Sequence, residues 1–128
     1  MMIKNMNIKE LLLNGNVLSA ELDNDKYDKR HFIVIGAYVL FKNQSVSIKE
    51  FRKDHSIIFA DIRYYVKTYV ISNDYIKNGY DIHREDFENF KYKNDIIGFE
   101  NLKNEIRLMV GEININEFVP IWKTDAPE

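Results

Sequence analysis

The chain predicts a mostly α fold, a single-domain helical bundle with an irregular C-terminal tail. Three observations point there: two helix-start signatures, a long 3–4 apolar spacing after Ser47, and a closing amphipathic segment that ends at a glycine. A length of 128 residues fits one domain over 1–128, long enough to bury a core.

The first start is at Asn7, with Glu10 three residues on and Met6 and Leu11 at the staple positions. Ile8, Leu11 and Leu12 share a face, and Asn14-Gly15 closes the turn. Asp25 can cap a second helix over 26–42, with Tyr27, His31, Val34, Tyr38 and Phe41 on one face. The apolar run inside it reads equally as a buried strand. In the helical reading, 43–46 is a short connection between antiparallel helices.

The second start is at Ser47, where Glu50 completes a capping box and Val46 with Phe51 forms the staple. Ile48, Phe51, Ile58, Ile62, Tyr65 and Tyr69 keep a 3–4 spacing, with His55 in the gap as a partly buried, hydrogen-bonded histidine. That spacing predicts one helix from Ile48 to Ile71. Ile58, Ala60, Ile62, Tyr64, Val66 and Val70 also alternate, so the alternative is an α+β fold with strands near 31–41 and 57–71. On the helix, Ile57, Tyr64 and Ile71 would form a second line needing cover from another element.

Residues 73–78 read as a short helix stopped by Gly79, and 86–91 as another. The last predicted helix runs over 96–110, capped by Asp95, ended by Gly111, with Ile96, Phe99, Leu102, Ile106, Met109 and Val110 facing inward. The tail holds Pro120 and Pro127, and Trp122 is expected back on the core. Isoleucine, asparagine, lysine, tyrosine and phenylalanine are heavily used, as an AT-rich coding sequence produces. That bias weakens β-propensity as a guide.

Charge separates along the chain. Residues 81–128 hold eleven Asp/Glu against six Lys/Arg, while 31–80 hold seven basic against four acidic. An acidic end suits docking on a basic partner, because complementary fields speed encounter and set register. The candidate contacts are Asp81, Glu85, Asp86, Glu88, Asp95 and Glu100, with Tyr80 and Tyr92 as aromatic anchors.

Catalytic motifs are absent. There is no cysteine, no serine elbow and no glycine-rich phosphate loop, and the three histidines lack ligand spacing. Asp23, Asp25 and Asp28 fail as a calcium loop, since Asp28 replaces the required glycine. Asp81, His83 and Glu85 would share a face only on a strand, so no metal and no cofactor are expected. The missing cysteines fit a reducing cytosol, the run from Phe32 to Phe41 is too short to span a bilayer, and no signal peptide is expected.

Two other functions stay open. Lys49, Arg52, Lys53, Arg63 and Lys67 near Tyr64, Tyr65 and Tyr69 could hold nucleic acid, against a net charge of −2. A small α+β enzyme or ligand-binding domain would use the Asp81–Asp86 cluster.

The stretches Phe41-Lys42-Asn43-Gln44-Ser45-Val46-Ser47-Ile48-Lys49-Glu50-Phe51 and Phe99-Glu100-Asn101-Leu102-Lys103-Asn104-Glu105-Ile106-Arg107-Leu108-Met109-Val110 resemble segments of small helical bacterial immunity proteins. These are the colicin D type and relatives from contact-dependent inhibition systems. The resemblance covers about a fifth of the chain and departs over 57–71. It implies a helical fold, a cognate toxin domain as protein partner, often a basic nuclease, and inhibition by acidic residues that occlude its active site.

Overall fold

The computed structural model describes residues 7–23, 28–56, 58 and 61–127. Its elements are α1 (Ile8–Leu13), β1 (Leu18–Leu22), β2 (Lys29–Phe41), β3 (Gln44–Val46), α2 (Ile48–Arg52), β4 (Ile62–Ser72), α3 (Asn73–Lys77), β5 (Glu88–Ile96), α4 (Phe99–Val110) and β6 (Val119–Pro120). Single 3-10 turns lie at Arg84–Asp86, Ile115–Glu117 and Ile121–Lys123. The strands form one antiparallel sheet in the order β5-β4-β2-β1-β6, with β3 on the far end of β2. The fold is therefore α+β, and the predicted mostly α bundle is overturned.

One long predicted helix is a strand instead, and a second is a short helix followed by a strand. Of the segment predicted as a helix over 26–42, the described part Lys29–Phe41 is β2, which pairs with both β1 and β4. Its proposed cap, Asp25, lies outside the described residues. Phe32, Val34, Ile33 and Ile35 point to opposite faces, and all four are buried. A central strand covered on both faces is apolar at every position, so it loses the alternation that marks a strand. The link expected over 43–46 is instead mostly β3, joined to β2 by the two-residue hairpin turn Lys42-Asn43, with Lys42 (φ 52) and Asn43 (φ 64) in the left-handed region that matches strand twist.

The second error has the same cause. The start at Ser47 is real: Ser47 Oγ accepts from the Glu50 N–H at 3.1 Å. The helix stops at Arg52, however, and β4 follows. Ile62, Tyr64 and Val66 face one side of β4, while Tyr65, Tyr69 and Ile71 face the other. Two apolar sets of period two, laid over each other, mimic a 3–4 spacing. His55 is exposed rather than partly buried, its ring stacked on Phe51 at 4.5 Å.

The short helices agree better with expectation. Asn7 Oδ1 accepts from the Glu10 N–H, and its Nδ2 donates to Glu10 Oε1, both at 2.8 Å. The helix predicted over 73–78 is α3, and Gly79 follows with φ 66. α4 ends at Gly111 (φ 80), but Gly98 rather than Asp95 stands at its cap, and Ile96 belongs to β5. The helix expected over 86–91 is the turn Arg84–Asp86 followed by β5.

Both sheet faces are covered. α1 and α4 set Ile8, Leu12, Leu102 and Ile106 against Leu18, Ala20, Ile33, Ile35, Tyr64 and Val66. On the other face Phe32, Val34, Tyr69 and Ile71 meet Tyr75, Ile82, Phe87, Ile121 and Ala126. The tail is held there by Ser19 Oγ to Thr124 Oγ1 at 2.7 Å and Arg30 to Asp125 at 3.0 Å. Ile121 enters this core, whereas Trp122 is 73% exposed, contrary to its expected return. α2 seats Ile48 and Phe51 on Val39 as a third cluster.

Candidate binding cleft

A cleft of about 670 Å³ opens beside the outer edge of β1. Its existence follows from how the chain leaves α4. Gly111 turns the backbone, and Asn114 then caps the Ile115–Glu117 turn, accepting from the Asn116 N–H at 3.0 Å. That turn carries the chain away from β1, and only Val119 and Pro120 return to pair with Ser19 and Leu18. Ala20, Glu21, Leu22 and Asp23 form one wall, Val110 to Glu117 the other, and His31 projects from β2.

Carboxylates dominate the lining: Glu21, Asp23, Glu112 and Glu117, with no lysine or arginine among the described lining residues. Glu21 is forked on Arg30, with bonds of 2.7 and 2.6 Å, and Asp125 shares the same guanidinium. These carboxylates hold the Arg30 pKa above its ordinary value, the Glu21 bond contributing most. Glu112 meets Arg107 at 3.2 Å, an exposed contact of small energetic weight. Asp23 and Glu117 have no ion-pair partner among the described residues.

His31 Nε2 lies 2.8 Å from Thr68 Oγ1, whose own proton goes to the Phe32 carbonyl at 2.9 Å. The hydroxyl must therefore accept, so His31 donates from Nε2 and keeps Nδ1 free of its proton. Burial, and after it the charge of Lys91, push the His31 pKa down from its ordinary value. As pH falls below about 6.5 the unfolded chain takes up this proton before the folded one does. Stability present in full above that pH is then lost as pH falls toward the folded pKa. The urea midpoint should drop between about pH 7.5 and pH 5.5, and drop less in His31→Gln. An equal drop in both would remove His31 as the source.

The residues expected from sequence sit elsewhere. Glu88, Tyr92 and Asp95 lie on β5, the opposite edge of the sheet from the cleft. Glu88 pairs with Lys29 at 2.6 Å, Asp95 with Arg63 at 3.1 Å and Glu100 with Lys103 at 2.9 Å. Asp86 Oδ2 accepts from the His83 N–H at 2.8 Å. Tyr80 (57% exposed), Asp81 and Glu85 stay exposed between α3 and β5, and Tyr92 is 51% exposed. Lys91 and Lys93 interleave with the acids of β5, so this edge is not uniformly acidic. Asp81 and Glu85 lie off any strand, and among the described residues no three metal-ligating side chains converge.

The basic set also separates. Tyr64 and Tyr69 are buried on opposite faces, Arg63 is paired with Asp95, and burial lowers the Lys67 pKa. Among the described residues no helix is long and apolar enough to cross a membrane.

The sequence reading missed the cleft. Glu21 and His31 become neighbours only through the pairing of β1 with β2, Glu117 reaches the same cleft through the Ile115–Glu117 turn, and no local spacing announces either. Comparison with known proteins returns no matching family model, no matching curated protein and no matching solved structure.

Proposed function

We propose that this protein is a non-enzymatic binding protein that neutralises a basic protein partner through the carboxylates of the β1 cleft. The observation that carries this reading is a concave lining with four carboxylates, of which Asp23 and Glu117 have no ion-pair partner among the described residues while Glu21 and Glu112 are held by Arg30 and Arg107. Such a surface attracts lysine and arginine side chains at range and fixes how they dock. The acids on β5 serve it less well, being paired with Lys29 and Arg63 and interleaved with lysines. The resemblance of 41–51 and 99–110 motivates an immunity or antitoxin-like role with a toxin domain as partner, although the helical fold that it implied is not the fold found, and the lack of cysteine fits action in the cytosol.

The test is affinity capture from a lysate of the source organism at low and high salt, read by mass spectrometry. A single basic protein held near one-to-one and released by salt is the expected result. Recovery of nucleic acid, or of no protein at all, would overturn the reading.

A further inference from the structure

Among the described residues no strand pairs with the outer edge of β1 beyond Ser19, and that edge narrows what the partner presents. β6 pairs with β1 only at Leu18 and Ser19, and the Ile121 N–H donates to the Val17 carbonyl at 2.9 Å. In an antiparallel ladder, backbone groups turn to the same side at every second residue. Val17 and Ser19 therefore turn toward β6, and so do the N–H and carbonyl of Glu21. Opposite Glu21 the register would place Glu117, but the Ile115–Glu117 turn has carried the chain away, and the Glu117 N–H is spent on the Asn114 carbonyl at 2.9 Å. The cleft is thus the slot that a longer β6 would have filled.

We propose that the partner inserts an extended, lysine- or arginine-bearing segment into this slot, where it adds to β1 as a strand in line with β6. The inference rests on the binding reading above and names its mode. The backbone of Glu21 supplies the hydrogen bonds, as strand addition requires. Charge decides the occupant. Asp23 and Glu117 flank the slot and lack ion-pair partners among the described residues, so they take the cationic side chains. A second copy of this chain is disfavoured, because antiparallel pairing of two β1 edges would set Glu21 and Asp23 against their own likes. The other edge strand is a poorer template: β5 is broken by left-handed residues at Asn89 (φ 52) and Asp95 (φ 57), with register shifts in its pairing to β4.

The probe is a labelled hexapeptide alternating lysine and valine, with two analogues N-methylated on the lysines only or on the valines only. Strand addition uses every second N–H, so one analogue should lose at least about ten-fold in affinity while the other binds like the parent. Saturating parent peptide should slow exchange of the Glu21 amide about ten-fold by NMR, and Asp23→Asn with Glu117→Gln should weaken the parent by a similar factor. Equal binding of both analogues, or an unprotected Glu21 amide at saturation, would overturn the proposal. A captured basic protein that needs Asp23 and Glu117 but leaves the Glu21 amide exposed would sink strand addition alone. Failure to capture any basic protein would sink the binding reading beneath it.

Discussion

Replacing Tyr69 by alanine is expected to destabilise the fold by about 3–5 kcal/mol, the largest loss from any single truncation on the second sheet face. Tyr69 is 0% exposed. Its ring lies 4.3 Å from Phe87 and 6.1 Å from Phe32, and its hydroxyl donates to the Pro127 carbonyl at 3.1 Å. Removing the ring opens a cavity between β4, the α3–β5 connection and the tail, and each of those must give up packing. Tyr69→Phe loses only the hydrogen bond, about 0.5–1.5 kcal/mol. Trp122→Ala, one residue past the buried Ile121, should change stability by no more than about 0.5 kcal/mol. Urea denaturation of the three variants checks the set. A Trp122 loss as large as that of Tyr69 would mean the tail packs the other way round.

The largest functional effect is expected from charge reversal in the cleft. Asp23→Lys with Glu117→Lys should slow association with the captured basic protein about ten-fold or more at low salt, and flatten the salt dependence of the on-rate. Both side chains are exposed and make no ion pair among the described residues, so the fold should tolerate the change. The matched comparison is Asp81→Lys with Glu85→Lys, exposed acids outside the cleft lining. There the on-rate should stay within about two-fold. Stopped-flow rates across ionic strength decide between the two surfaces, and the reverse ranking would move the interface to the 80–88 segment.

Local grammar was readable wherever the physics is local. Asn7 and Ser47 do cap helices, because a side-chain oxygen reaching an N–H three residues on needs nothing from the rest of the chain. Gly79 and Gly111 do follow helix ends, both with positive φ. The expectation failed where identity depends on partners far away in sequence. β2 and β4 are apolar on both sides because both sheet faces are covered, so each offers a continuous run or a false helical period in place of clean alternation. A heavy background of isoleucine and tyrosine hid the β-branched enrichment that would otherwise mark them. The hairpin between β2 and β3 uses Lys42-Asn43, which lacks the glycine of the strongest hairpin signal.

The site was harder to see for the same reason. Counting charge along the chain placed an acidic region after Asp81, but folding distributes those residues between two sheet edges. Glu112 and Glu117 come to the cleft, while Glu88 and Asp95 are drawn to Lys29 and Arg63. Asp23, considered only as part of a failed calcium loop, becomes one of two cleft carboxylates free of ion pairs among the described residues.

The most direct test of the central claim is an NMR titration of isotope-labelled protein with the captured basic partner, following every backbone amide. Shifts confined to Ala20–Asp23, His31 and the 110–117 segment, and reversed by salt, are the predicted result. Shifts that centre on the 80–88 segment or on β5, with the β1 edge unmoved, would contradict it.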